Sequence, residues 1–296
     1  MTSNWMLWIL ASAVVLAVYD LLKKASVRDN AVLPVLMVST AAGACAYVAT
    51  LAAAGRIAGS WSAVDARIAA LAAVKTVIVG SSWIFTFRAL RSLPITIATP
   101  IRASAPAVVI LLAFFLYGER PAPLQWLGMV LVFAGFFAFS WAGRAEGIDF
   151  RRSKAVFFAI GGMLLSAVSA LFDKFVFQVA AAPVEPVQLL FQVFLFVFYF
   201  LVFSADRLMF GSGGAVGFRW RPTIPFVGIA LALADWLYFR ALAFPEAQIS
   251  IGSLLRRFSV AITFFIGAFL FRERNLRRKT LALVFVLAGI VILCGL

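Results

Sequence analysis

The chain has 296 residues, of which 64% are hydrophobic and only 13% are charged, and its mean hydropathy is +1.04. These values exclude an ordinary soluble domain, in which about 25% of the residues are charged. The formal net charge is +14 and the chain contains no histidine. Histidine-based catalysis and imidazole metal ligands are therefore excluded, and the basic residues are expected to meet anionic lipid headgroups rather than nucleic acid.

Ten stretches are long and apolar enough to cross a membrane, since a helical span needs about 20 predominantly apolar residues. The joints between them are short, which leaves no room for a soluble domain. We therefore predict an all-α integral membrane protein with ten transmembrane helices. In chain order, the predicted spans 1 to 10 cover residues 4–26, 32–55, 67–90, 94–117, 123–142, 153–179, 184–208, 222–243, 247–271 and 275–295.

Five of these spans fall in each half of the chain, and the two halves share landmarks at a nearly constant offset. Such an offset indicates gene duplication. We predict two five-helix repeats, residues 1–146 and 147–296, that enclose a central cavity. The matching segments are Thr86–Leu90 with Tyr238–Leu242 at an offset of 152, Tyr19-Asp20 with Phe172-Asp173 at 153, and Glu119-Arg120 with Glu273-Arg274 at 154.

Lysine and arginine are concentrated in the loops that follow the odd-numbered spans. By the positive-inside rule these loops are expected to be cytoplasmic, which places both termini on the opposite side. Because each repeat has an odd number of spans, the two repeats must then insert upside down relative to each other.

Polar residues inside the spans are the candidate site residues, because an ionisable side chain in the hydrocarbon costs about 2.5–3.5 kcal/mol. In span 9, Gln248, Arg256 and Ser259 share one helical face, and Arg102 of span 4 aligns with Arg256. Two interpretations of these arginines stay open. Each faces a cavity, where its planar fork suits a carboxylate or phosphate, or each forms a structural ion pair. The candidate partners of such a pair are Asp20, Asp173 and Asp235.

Spans 3 and 8 also carry charged, polar and aromatic residues. Lys75 and Asp235 either pair directly across the two repeats or bind the two ends of a zwitterion. Indole and phenol rings beside these charges suit an amphipathic metabolite with an apolar or aromatic side chain. The candidate residues are Lys75, Ser82 and Trp83 in span 3, and Asp235, Trp236 and Tyr238 in span 8.

Two further features bear on the predicted cavity. Asp20 and Asp173 lie near the ends of spans 1 and 6, where we expect solvated helix ends. Span 4 contains Pro94, Pro100 and Pro106. Because proline removes a backbone donor, we expect a kink or hinge in this span.

The duplication, the ten spans and the Gly118-Glu119-Arg120 sequence after span 4 resemble the drug/metabolite transporter superfamily, EamA family. Glycines follow in span 5, at Gly128 and Gly135, as in that family. The second copy departs from the pattern, since Arg272 stands where a glycine would precede Glu273. The resemblance implies a metabolite carrier of a bacterial-type inner membrane, often an exporter, with a cavity walled by spans 1, 3, 4, 6, 8 and 9. The most similar type is the aromatic amino acid exporter.

We therefore expect a secondary transporter that exports amino acids or similar amphipathic metabolites, including aromatic or large apolar amino acids, by alternating access. The alternatives are an exporter of other metabolites or drugs, a channel, and an intramembrane lipid-modifying enzyme. Span 1 contains no glutamate, so uniport and proton coupling both stay open. We expect no cofactor and no metal. The expected partners are a small-molecule substrate and the lipid bilayer, and a monomer is expected because both repeats lie in one chain.

Overall fold

The computed structural model describes residues 4–117, 122–144, 147–210, 217–242, 249–273 and 275–293. Within these ranges the secondary structure is helical and no residue lies in a β-strand, which confirms the all-α prediction for the described residues. The helices of the first half are α1 (Asn4–Val27), α2 (Val32–Ala53), α3 (Ile57–Ser62), α4 (Ala66–Ser92), α5 (Ile95–Ala103), α6 (Ala105–Tyr117) and α7 (Pro123–Arg144).

In the second half, the first helix continues into a π-helical turn before the chain reverses. Short α3 lies between two predicted spans and was not predicted, whereas the other bounds lie within two residues of the predicted spans. The second half contains α8 (Lys154–Lys174), the π-helical turn Phe175–Val179, α9 (Val184–Phe210), α10 (Thr223–Leu242), α11 (Ile249–Leu270) and α12 (Leu276–Leu293).

The helices have the length and composition of a multi-pass membrane protein. Among the described residues, seven helical segments are long and apolar enough to cross a membrane. Shorter apolar stretches, Thr223–Tyr238 and Phe258–Leu270, lie in α10 and α11. Helices suit this composition because hydrocarbon offers no partner for backbone N–H and C=O groups, so the chain must satisfy them internally. The number of ten spans stays a prediction.

Predicted span 4 is broken into two helices, α5 and α6, which meet at Ser104. Pro100 lies inside α5, and Pro106 lies in the first turn of α6. Ser104 closes the end of α5, because its hydroxyl donates to the carbonyl oxygen of Pro100 at 2.9 Å. Since proline has no N–H and disfavours a helical residue before it, the interruption agrees with the expected kink.

Helices of one half pack against helices of the other half, and these contacts occur in matching pairs. We match α1, α2, α4, α5 and α7 with α8, α9, α10, α11 and α12, as the repeat predicts. Helix α1 packs against α10 and α11, and its counterpart α8 packs against α4 and α5. Likewise α2 packs against α10, and α9 packs against α4. The pairs α2–α9, α5–α11 and α7–α12 each join a helix to its own counterpart.

Backbones approach closely where α7 crosses α12. A Cβ atom built on Gly289 would lie 2.6 Å from the carbonyl oxygen of Gly128. One built on Gly135 would lie 3.0 Å from the carbonyl oxygen of Ala282. At an offset of 154, Gly128 corresponds to Ala282 and Gly135 corresponds to Gly289. Replacing each residue by its counterpart in the other half therefore turns the Gly128–Gly289 contact into the Gly135–Ala282 contact.

We expect Gly289→Ala to destabilise the protein by about 1–3 kcal/mol, because the added methyl group meets backbone atoms that cannot rotate away. The measurement is the thermal unfolding midpoint of the purified protein in detergent. Gly59→Ala is the control, since a Cβ atom at this position of α3 meets nothing within 4 Å. Equal midpoints for the two variants would show that the crossing has room for a side chain.

Candidate functional site

Four helices, α1, α5, α10 and α11, surround a cavity of about 340 Å³. This volume lies at the lower end of the range of small-molecule sites, which is about 300–1,000 Å³. The lining combines two arginines, a phenol ring, a hydroxyl group and small apolar side chains. The lining residues are Leu16, Arg102, Ala103, Tyr238, Arg256, Ser259 and Val260.

Arg256 is held on two sides and has one unsatisfied donor. Its guanidinium forms an ion pair with Asp235 at 2.5 Å, and its Cζ atom lies 4.4 Å from the ring centroid of Tyr238. The buried Nε atom has no hydrogen-bond partner among the described residues. An unsatisfied buried donor is costly, and an acceptor in the cavity would remove that cost.

Arg102 reaches the same cavity from α5. Its guanidinium pairs with Asp20 of α1, whose side chain is only 2% exposed. Asp20 also accepts a hydrogen bond from the Lys23 ammonium at 2.8 Å. The Arg102 side chain stays 31% exposed. Because a guanidinium has five donors, one carboxylate leaves part of its fork available to the cavity.

Among the side chains that the structure describes, the ion-pair cluster beside this cavity is unbalanced. Three cations, Arg102, Arg256 and Lys23, face two carboxylates, Asp20 and Asp235, through the ion pairs just described. With all five groups ionised, this cluster carries a net charge of +1. A ligand with one negative group would neutralise it, and the low dielectric of the site would strengthen that attraction.

Comparison with known proteins bears on the family and the fold. Residues 3–141 match the model of the EamA-like transporter family. The first half of the chain is EamA-like. This match supports a place in the drug/metabolite transporter superfamily, whose EamA-like members are membrane transporters of small molecules.

One solved crystal structure shares the fold across both halves. It has a TM-score of 0.64, covers 99% of this chain and 98% of its own, and is 13% identical in sequence. At that identity the likeness concerns the fold alone. No curated protein matched the chain.

The structure brings together four of the candidate residues that were chosen as polar side chains inside the predicted spans. Arg102, Tyr238, Arg256 and Ser259 line the cavity, and Asp235 reaches it through its pair with Arg256. Each arginine is paired with a carboxylate and also lines the cavity, so the two interpretations do not exclude each other. Contact with a substrate stays a prediction for all five residues.

The other candidates lie elsewhere. Lys75 pairs with Asp173 of α8, not with Asp235. Ser82 donates to the carbonyl oxygen of Gly162 at 2.8 Å, which joins α4 to α8. Trp83 lines a separate cavity of about 10 Å³. Trp236 stands edge-on to Trp8, with 6.0 Å between the ring centroids. Gln248 lies outside the described residues.

Two features of the site were not foreseen. Asp20 was expected at a solvated helix end, but it is buried, because Lys23 and Arg102 supply the partners that water would otherwise provide. Glu273 follows α11 and accepts hydrogen bonds from the backbone N–H groups of Ile95 at 2.6 Å and Thr96 at 3.2 Å. It therefore caps α5, the helix that carries Arg102. The recurring Glu-Arg landmark was the only signal of its importance.

We expect Glu273→Ala to lower the free energy of unfolding by about 3–5 kcal/mol, because it removes both the cap of α5 and the carboxylate that pairs with the buried Lys279. The loss should also disorder the start of α5 and so the position of Arg102. The measurement is the thermal unfolding midpoint in detergent. Asp206→Ala, which removes an exposed carboxylate from α9, is the matched control. A control that unfolds as early as Glu273→Ala would contradict the capping role.

Proposed function

We propose that this protein is a secondary transporter that exports amino acids or similar small amphipathic metabolites, including aromatic or large apolar amino acids. The observation that carries the proposal is the cavity of about 340 Å³ in which Arg102, Arg256 and Tyr238 converge. The EamA-like match of residues 3–141 supports a transporter.

The lining is complementary to an amino acid. A carboxylate would bind between the guanidinium groups of Arg102 and Arg256, where the buried Nε of Arg256 needs an acceptor. An apolar or aromatic side chain would pack against Leu16, Val260 and the ring of Tyr238. The chain has no glycine-rich P-loop sequence, so the proposal needs no ATP.

We propose that residues 1–146 and 147–296 are inverted repeats that alternate access to this cavity. The exchange of helix pairs between the halves supports this, and so does the exchange of contacts at the α7–α12 crossing. One ion pair breaks the correspondence. Asp20 pairs with Arg102, whereas their counterparts Asp173 and Arg256 pair with Lys75 and Asp235.

This difference predicts what the opposite conformation contains. In transporters with inverted repeats, the two repeats exchange conformations when access changes sides. We therefore expect Asp173 to pair with Arg256 in the opposite state, while the Asp20–Arg102 pair separates. Each state would keep one such pair closed.

Cross-linking with a short bifunctional thiol reagent tests this exchange in a background with Cys45→Ser and Cys294→Ser. The reagent spans the distance that the arginine side chain covers, which is too long for a direct disulfide. We expect Asp20→Cys/Arg102→Cys to cross-link in the observed state and Asp173→Cys/Arg256→Cys to cross-link in a separate population. Conditions that raise one yield should lower the other. Cross-linking of only the first pair under every condition would contradict the exchange.

Uptake into proteoliposomes tests the function itself. We expect saturable uptake of radiolabelled amino acids, and we expect aromatic or large apolar amino acids to inhibit it by competition. We also expect counterflow, which a channel does not show. Accumulation above equilibrium under a pH gradient would indicate proton-coupled transport, and equilibration would indicate uniport. If folded protein transports no amino acid, the substrate is another metabolite or a drug.

We expect Arg256→Ala to lower kcat/KM about 10- to 100-fold for an amino acid, because a hydrogen bond to a charged group contributes about 1.5–3 kcal/mol. The loss should be much smaller for the methyl ester of the same amino acid, which lacks the carboxylate. Arg207→Ala removes an exposed arginine of α9 and is the control. An equal loss for acid and ester would exclude a carboxylate contact at Arg256.

The remaining assignments follow from the same proposal. A bacterial-type inner membrane is the proposed location of this multi-pass protein. A monomer is the proposed functional unit, because both repeats are part of one chain. Light scattering of the purified protein would test the second assignment, and a stable dimer at working concentration would contradict it.

A further inference from the structure

A second cavity, of about 260 Å³, lies between the C-terminal end of α4 and the N-terminal end of α8. It shares no lining residue with the cavity of the proposed substrate. Three of its lining side chains are cationic, and one is aromatic. The lining residues are Arg88, Arg91, Ser92, Lys154, Ala155 and Phe158.

The packing of the two helices explains why a depression forms at this level. One turn deeper, α4 and α8 touch closely, since a Cβ atom built on Gly162 would lie 2.6 Å from the Thr86 hydroxyl oxygen. Beyond that contact α4 ends and α8 begins. The guanidinium carbon of Arg88 lies 5.7 Å from the ring centroid of Phe158, so one wall of the cavity combines a cation with an aromatic ring.

The electrostatics of this cavity favour an anion. None of its six lining residues is acidic. The positive N-terminus of α8 and the negative C-terminus of α4 both border this cavity, so their dipoles offset each other and the three side-chain cations set its sign. Three converging cations suit a group that offers several negatively charged oxygens, as a phosphate does.

The surroundings favour a lipid as the source of that phosphate. The cavity lies where two membrane-length helices end, which is the level of the lipid headgroups. Directly along α8, the side chains of Phe157 and Leu164 are exposed and apolar, and they offer a surface for acyl chains. Basic pockets between transmembrane helices are known to bind anionic headgroups.

We propose that Arg88, Arg91 and Lys154 form a binding site for the phosphate group of an anionic phospholipid. The acyl chains of this lipid lie along the exposed face of α8. The site joins the last helical turn of α4 to the first of α8, so an occupied site links the two halves of the chain through a lipid. This inference does not depend on the proposed substrate.

Native mass spectrometry of the full-length protein in detergent tests the site, with phosphatidylglycerol as the probe lipid. We expect Arg88→Gln/Arg91→Gln to weaken binding of one phosphatidylglycerol about 30-fold, about fivefold for each charge removed. Arg151→Gln/Arg152→Gln is the matched control, because it removes two exposed charges from the segment before α8 without touching the cavity. Its affinity should change less than threefold.

Two further arms distinguish the sources of the anion. Phosphatidylcholine should bind weakly and equally to all three proteins. Inorganic phosphate should not protect the protein from thermal unfolding at concentrations where phosphatidylglycerol does. Three results would each overturn the lipid site. The first is an equal loss of phosphatidylglycerol affinity in both double variants. The others are binding of phosphatidylcholine that depends on the arginines and protection by inorganic phosphate alone. Size-exclusion profiles show whether both variants are folded. We expect both to fold, because the substituted residues are exposed.

Discussion

The candidate cavity depends on the ion pairs that the Asp20 carboxylate forms with Lys23 and Arg102. This carboxylate lies inside the helix bundle and receives both the Lys23 ammonium and the Arg102 guanidinium. A buried charge without partners is far costlier than a solvated one, and removing one member of a buried pair typically costs about 3–5 kcal/mol. Asp20 therefore holds α5 against α1 and fixes the side of the cavity that Arg102 forms.

A second constraint acts on the same helix from its other end. Glu273 caps the start of α5, and Lys24 donates to the carbonyl oxygens of Leu90 and Leu93 at 2.6 Å each, just before α5 begins. Helix α5 is thus fixed by residues from α1 and from the segment after α11. This explains how a short helix, broken from α6 at Ser104, can hold an arginine in a defined position.

The helices were predictable from the sequence because hydrocarbon imposes a length and an apolar composition that local reading detects. The same pattern placed Arg102 and Arg256 inside helices, and they lie in α5 and α11. Their partners, Asp20 and Asp235, were among the three candidate aspartates. The sequence did not say which arginine takes which aspartate, because that choice depends on how each helix is rotated about its axis. Lys75 shows this, since the sequence suggested Asp235 as its partner and the packing of α4 on α8 pairs it with Asp173 instead. The burial of Asp20 was missed for the same reason.

The crossing of α7 and α12 has a consequence for the origin of the chain. Gly128 meets Gly289 while Gly135 meets Ala282, so each position contacts the counterpart of its partner. That reciprocity is the signature of an isologous interface, in which two identical subunits meet across a twofold axis. On the proposed duplication, an unfused ancestor with a single copy of this half would have been able to dimerise through the same surface. Fusion would then have turned an association that depends on concentration into a permanent contact within one polypeptide.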